Sequence, residues 1–246
     1  MRSYAIGDVH GQRDRLAEAH RRIAEDRRLT GDDEAPVIHL GDLVDRGPDS
    51  AGVVAFVAEG MAAGRPWRMV KGNHDRLCTG FLADPAWQDP GLRAELNWLD
   101  APLGGRATLA SYGVDVGEGR DLAAIHADAV ARVPEAHRAF LAAQPCWIAR
   151  GEAVFVHAGI RPGVPMEAQA EQDLLWIRAA FLEDRRDHGA LVVHGHTALP
   201  AARHYGNRLN LDSGAGYGRE LSVAVIEGRR AALLTEDGRV PLDPEE

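Results

Sequence analysis

One pattern recurs along this chain and limits what it can become: a short apolar run, a glycine, then a side chain suited to ligating metal or phosphate. The stretch Val37-Ile38-His39-Leu40 reads as a buried strand and opens into Gly41-Asp42-Leu43-Val44-Asp45-Arg46-Gly47. Two carboxylates and a guanidinium emerge there within five residues, and the flanking glycines let the backbone turn sharply or approach a ligand closely. Tyr4-Ala5-Ile6 runs in the same way into Gly7-Asp8-Val9-His10-Gly11, and Arg68-Met69-Val70 into Gly72-Asn73-His74-Asp75. In the second half, Ala153–Val156 leads to His157-Ala158-Gly159, and Leu191-Val192-Val193 to His194-Gly195-His196-Thr197. A lone Gly-Asp-x-x-Asp stretch is usually a surface turn with a local ion pair. Its recurrence argues for strand ends that share one purpose.

Helical patterns separate the first three runs. Leu16, Ala19 and Ile23 set one face of a helix over Asp14–Arg27, and Val53, Val54 and Val57 one over Ala51–Met61, which Asp49 or Ser50 can cap. Strand alternating with helix implies right-handed crossovers and a largely parallel sheet, so the class is α/β. In such sheets ligands bind beyond the carboxyl ends of the strands. The first three glycine loops lie at that edge, and their residues, distant in sequence, can meet there.

Residues 78–120 break the rhythm. Trp87, Trp98, three prolines and Gly104-Gly105 sit there with little strand pattern, and Leu92, Leu96 and Leu99 indicate a short helix. We read the segment as an insertion on the main core that forms a rim or cap to the site. Its tryptophans serve equally as core filler or as stacking surfaces. Beyond it, Leu122–His126 reads as a weak strand and Glu135–Ala143 as an amphipathic helix. Asp173–Leu182 reads as a helix carrying Arg178. A strand at Leu209–Leu211 and a closing hairpin, Leu221–Ile226 with Ala231–Thr235 around Gly228, complete the pattern before the polar tail Asp243-Pro244-Glu245-Glu246. With no tandem repeat and no low-complexity linker, one domain over 1–246 is the simplest account.

The five strand ends deliver Asp8, His10, Asp42, Asn73, His157 and His196. These are oxygen and imidazole donors without a thiolate, suited to Mn, Fe, Zn or Mg rather than Cu(I) or iron–sulfur clusters. A catalytic zinc uses three protein ligands. Six, shared between two ions through one bridging carboxylate, give the layout of a two-metal hydrolase. His194, one residue from His196, would point the opposite way on a strand and stays outside this set. Asp212 ends a strand at the same edge and either supports a ligating histidine or begins a turn.

Other chemistries find no support. The net charge of −9 offers no basic stripe for a nucleic-acid backbone. No run approaches the ~18 apolar residues of a membrane span, and the N-terminus lacks a signal-peptide core, so a cytoplasmic protein is expected. The two cysteines, Cys78 and Cys146, form no CxxC pair, and neither is followed six residues later by arginine, so a thiol phosphatase loop is absent.

The five motifs, in this order, resemble those of the metallophosphoesterase superfamily. The Asp45-Arg46-Gly47 ending of the second motif resembles the phosphoprotein phosphatase branch, which includes bacterial and phage serine/threonine phosphatases and symmetrical dinucleoside tetraphosphate hydrolases. Gly104–Gly113, Phe155–Pro165 and Leu174-Leu175-Trp176-Ile177-Arg178 are also similar to bacterial members. Asp75, where eukaryotic relatives usually carry Glu, fits that branch too. The resemblance implies two facing β-sheets flanked by helices, with two metal ions, Mn²⁺ first among them, at one edge. It places Asp8 and His10 on the first ion, Asp42 between both, and Asn73, His157 and His196 on the second. It gives phosphoryl binding to Arg46 and Arg178, and leaving-group protonation to His74 with Asp45. Water held between the metals would attack phosphorus directly. Asp45 is expected to fix the His74 tautomer and raise its pKa.

The resemblance thus implies hydrolysis of phosphomonoesters, with phosphoserine and phosphothreonine in proteins or small phosphoesters as substrates. A dinucleoside polyphosphate hydrolase would use the same centre but needs base-stacking and polyphosphate-binding groups at the rim. Trp87 and Trp98 are candidates for the first, whereas only Arg93, Arg106 and Arg120 are basic in that segment. A silent metal-binding interaction module would have lost motif residues, and none is lost.

Overall fold

The computed structural model of the chain describes residues 1–244; Glu245 and Glu246 of the polar tail lie outside them. The apolar runs form the strands that carry the motifs. β1 (Arg2–Ile6), β2 (Val37–His39) and β3 (Trp67–Met69) pair in parallel, linked by α1 (Arg13–Thr30) and α2 (Ser50–Ala62). β9 (Val223–Glu227), β10 (Arg230–Thr235) and β11 (Gly238–Leu242) extend this sheet antiparallel from β1, giving the order β11-β10-β9-β1-β2-β3. A second sheet has the order β4-β5-β6-β8-β7, from β4 (Trp147–Arg150), β5 (Ala153–Val156), β6 (Leu191–His194), β7 (Arg203–His204) and β8 (Arg208–Asn210). Its central strands β5, β6 and β8 are parallel.

Side-chain alternation along each strand builds the layers. Ala5, Ile38, Ala224 and Ile226 of the first sheet pack against Phe155, Leu191, Val193 and Leu209 of the second. Their neighbours Tyr4, Ile6, Val37 and Met69 point the other way, under Leu16, Ile23, Val53 and Val57 of the helices. On the far face, Val154, Val156 and Val192 pack against Leu174 of α7 (Glu171–Trp176), Ile177 just beyond it and Phe181 of α8 (Ala179–Leu182). Two sheets thus face each other between helical layers.

Several elements differ from expectation. Leu122–His126 is the start of a helix, α5 (Leu122–Arg132): the Asp121 side chain accepts from Ala124 N, and Ile125 and Ala129 are buried one turn apart. Leu92–Leu99 is a chain of turns, because Asp89, Asn97 and Asp100 bond backbone N–H groups locally and compete with a helix. The helix expected over Asp173–Leu182 breaks at Ile177-Arg178. Leu174 O accepts from Ala158 N at 2.8 Å and so is used by the loop after β5. Strands β4, β7 and β11 were not anticipated: they are short or partly exposed edge strands, without a clear apolar run. Within 78–120, α3 (Asn73–Ala83) continues to Ala83 and α4 (Gly105–Ser111) packs on α2, while Trp98, Leu99, Leu103 and Leu109 enter the first core.

Candidate metal and phosphate site

The carboxyl ends of β1, β2, β3, β5 and β6 converge on one edge. Backbone strain is concentrated there. Among the described residues, the non-glycine residues with positive φ are His10, Asp42, Asp45, Arg46 and His196, all of them site residues. The left-handed region costs a non-glycine residue roughly 1–3 kcal/mol, so the surrounding packing must enforce it. Two glycines make room for carboxylates: a Cβ on Gly195 would lie 1.9 Å from Asp8 Oδ1, and one on Gly72 2.2 Å from Asp42 Oδ1.

Asp8, His10, Asp42, Asn73, His157 and His196 come together, none more than 8% exposed. His157 Nδ1 donates to Leu40 O at 2.8 Å, and His10 Nδ1 to Val44 O at 2.8 Å. Burial holds His157 down to about 4, and burial and then Arg46 push His10 well below its ordinary value, so both rings are neutral. Each has spent its one N–H on a backbone carbonyl, and its Nε2 is a lone pair. The His157 lone pair stands 2.7 Å from Asn73 Oδ1 and 3.5 Å from Asp42 Oδ1. His10 Nε2 stands 3.5 Å from Asp42 Oδ2. Asp8 Oδ1 is buried without a partner among the described residues. Lone pairs facing lone pairs in a dry site repel, and a cation between them removes the conflict.

Metal-type donor atoms of Asp8, Asp42 and His157 lie within 4.8 Å of one another, as do those of His10, Asp42 and His74. Asp42 belongs to both groups. Burial raises Asp42 to about 6, and burial with Asp212 and Asp42 nearby raises Asp8 well above the carboxylate range. Burial thus favours the neutral form of both carboxyls. Arg46 supplies some positive charge, with Nη1 on His10 Nε2 and Nη2 on His74 Nε2 at 3.1 Å.

His74 Nδ1 donates to Asp45 Oδ2 at 2.6 Å. The same oxygen accepts from Trp98 Nε1 at 2.8 Å, and Oδ1 accepts from Thr108 Oγ1 at 2.7 Å. The indole is only a donor, so Asp45 acts as an acceptor and fixes His74 with Nε2 free of hydrogen. The expected tautomer control is present, but the pKa shift runs the other way. Burial lowers His74 to about 4, and Arg46, His157 and Arg178 add to the lowering, outweighing the nearby Asp42.

Asp75 was read only as a mark of the bacterial branch. It accepts from Gly72 N, Asp42 N and Leu43 N, each at 2.9 Å, and so ties the second loop to the third. The N-terminus of α3 also holds Asp42, through His74 N to Oδ1 at 2.9 Å.

A cavity of about 320 Å³ opens onto these groups, lined by Asp42, Asn73, His74, Arg46, Arg178, Trp176 and Tyr217 among others. Arg178 is exposed at the break after α7, its Nη1 3.3 Å from Thr197 Oγ1. Trp98 is buried on Asp45 and Trp87 packs over Gly80, so the expected stacking surfaces are turned into the fold. Trp176 and Tyr217 are the aromatic walls instead, and Arg46 lies over the Tyr217 ring at 4.8 Å. Trp176 lies in the segment similar to bacterial members, but nothing in the sequence marked it or Tyr217 as a wall of the site. Asp212 also lines the cavity; its Oδ1 accepts from Gly214 N. His194 is buried on the other side of its strand, edge-on to Phe181.

The family model of the calcineurin-like phosphoesterases matches residues 1–226. The chain belongs to this family. It is an enzyme, a metal-dependent phosphatase. Serine/threonine-protein phosphatase 1 of Salmonella typhimurium is 26% identical over 242 residues, covering 91% of each chain. Among solved structures, a candidate diadenosine tetraphosphatase superposes with a TM-score of 0.63 at 22% identity, covering 99% of this chain and 95% of its own. A cold-active protein tyrosine phosphatase gives a TM-score of 0.63 at 16% identity, covering 99% and 79%. Those two likenesses concern the fold. No helix among the described residues of this phosphoesterase is long and apolar enough to cross a membrane.

Proposed function

We propose that this phosphoesterase hydrolyses phosphomonoesters, phosphoserine and phosphothreonine of proteins above all, at a centre of two divalent ions with Mn²⁺ as the metal. The observation that carries the reading is the set of lone pairs converging on Asp42. Asp8 and His10 would hold one ion, Asn73, His157 and His196 the other, with Asp42 between them; Fe, Zn or Mg suit the same donors. Bound there, such ions supply Lewis acidity for water activation and offset the phosphoryl charge.

The protein's own groups account for the rest. Arg46, from the loop after β2, and Arg178, from the break after α7, both line the cavity and can hold phosphoryl oxygens with planar, two-pronged contacts. His74 Nε2 faces the same cavity, in position to carry a proton to the leaving oxygen. Burial holds His74 neutral and the Arg46 and Arg178 charges add to it; a bound phosphate dianion offsets those two charges. It thereby favours the protonated ring that general acid catalysis needs. Asp45, fixed by Trp98 and Thr108, then stabilises the imidazolium.

Dinucleoside polyphosphate hydrolysis is the second reading, supported by the Trp176 and Tyr217 walls and by the candidate diadenosine tetraphosphatase of similar fold. The cavity's two arginines suit one phosphoryl group better than a polyphosphate, and the Salmonella relative carries a protein phosphatase name. Both favour the first reading. Phosphopeptides and diadenosine tetraphosphate compared under the same Mn²⁺ concentration test the choice. Faster turnover of phosphopeptides, lost with chelator, is expected. Preference for the dinucleotide would overturn the substrate, and turnover without metal would overturn the centre.

A further inference from the structure

One guanidinium outside the cavity joins three elements that build it. Arg76 lies two residues after His74 on α3. Its Nε and Nη2 donate to the two oxygens of Asp89 at 2.7 Å each. Nη2 also donates to Gln172 Oε1 on α7 at 2.8 Å, and Nη1 stands 3.8 Å from Glu171 Oε1. Asp89 is 1% exposed, and its Oδ1 accepts from Gly91 N at 2.7 Å. The fit is tight: a Cβ on Gly91 would lie 2.3 Å from Gln172 Nε2 and 2.5 Å from the Trp176 ring. So α3, the turn at 89–91 and α7 are pressed together around Arg76.

What α7 carries gives this contact a purpose. The helix ends at Trp176, and Arg178 follows two residues later at the break. Both line the cavity. Arg178 has a long hydrogen bond to Thr197 at 3.3 Å and an exposed side chain, so its aim depends on where α7 sits.

We infer that Arg76, with Asp89 and Gln172, is a positioning strut that sets where α7 holds Arg178 and Trp176 over the centre. The inference rests on Arg178 binding phosphoryl oxygens, as read above. α3 then aims two things at once, His74 directly and the phosphate clamp through Arg76. A planar fork held by both oxygens of a buried carboxylate is stiff in a way that a lysine ammonium is not.

The test uses Gln172→Ala, which removes the Arg76 hydrogen bond to α7, leaving there only the 3.8 Å contact with Glu171, and keeps the Arg76–Asp89 pair intact, so the fold is retained. Competitive inhibition by inorganic phosphate should weaken roughly 2–10-fold, the worth of one hydrogen bond. Mn²⁺ affinity measured by calorimetry should not change. Gln172→Glu, which keeps an acceptor for Arg76, should restore wild-type inhibition. In an Arg178→Ala background, Gln172→Ala should add almost nothing. Equal weakening in both backgrounds, or no weakening in the wild-type background, would overturn the strut and leave the clamp standing. Unchanged phosphate inhibition in Arg178→Ala alone would overturn the clamp, and the strut with it.

Discussion

His39 and His157 begin alike. Both are fully buried, both donate Nδ1–H to a backbone carbonyl, and burial holds both down to about 4. They differ in what meets Nε2. His39 faces His20 Nε2 at 3.1 Å, in a box formed with Trp67 and Phe56. One neutral ring donates to the other, and every polar atom of His39 is matched. His157 faces the oxygens of Asn73 and Asp42, with no proton left to give. Burial and a depressed pKa therefore do not distinguish a structural histidine from a ligand. The distinguishing feature is whether donors and acceptors balance without a cation.

The strongest way to break this contrast is to balance the open group artificially. Asp42→Asn keeps an oxygen for His74 N, turns an N–H toward the His10 lone pair and removes a shared carboxylate from both donor groups. Turnover should be lost. Mn²⁺ affinity by calorimetry should fall by more than the roughly 10–100-fold that loss of an outer partner costs a metal site. Wild-type affinity would show that the converging lone pairs are not what binds the ion.

A smaller effect is expected from the one cavity histidine whose Nδ1 goes to a carboxylate. His74→Asn should slow hydrolysis of alkyl phosphates by roughly 10²–10⁴-fold, the range of general acid catalysis. The loss should be much less with p-nitrophenyl phosphate, whose leaving group needs little protonation. Equal losses on the two substrates would remove the acid role and leave His74 as a hydrogen-bond donor to substrate or as a ligand.

The contrast also explains what was legible in the sequence alone. The central strands and their loops were readable because apolar runs ending in Gly-Asp, Gly-Asn or a histidine are local signals. The convergence of those loops followed from parallel topology. What could not be read was direction. Trp98 stood out as a rim aromatic, yet its indole N–H is turned inward to Asp45. Trp176, inside a segment similar to bacterial members, and Tyr217 both line the cavity, and no local signal gave either that direction. Asp75 bonds three backbone N–H groups across two loops, a contact between positions more than thirty residues apart that no periodicity reveals. The break at Ile177-Arg178 depends on Ala158 taking the Leu174 carbonyl, again a tertiary event. His20 and His39 belong to none of the motifs, and the structure pairs them with each other.

The closed pair yields the smallest effect and the clearest sign. Burial lowers His20 to about 2 and His39 to about 4. The unfolded chain takes up these protons near the ordinary value of about 6.5, whereas the folded chain stays neutral well below it. The unfolded state therefore binds more protons across this window, and stability is full above about pH 6.5 and declines as pH falls toward about 4. Each such histidine steepens the decline by about 1.4 kcal/mol per pH unit. His20→Phe leaves the buried Nε2 of His39 without its donor, so the variant should be less stable at pH 7 by about 1–3 kcal/mol. It also removes one proton-linked step. Denaturant unfolding with chelator present makes the site histidines common to both proteins, and they cancel in the difference. The gap between wild type and His20→Phe should then narrow by about 1.4 kcal/mol for each pH unit below about 6. Parallel stability curves would mean that His20 is protonated in the fold, and that the pair is no more balanced than the centre it is compared with.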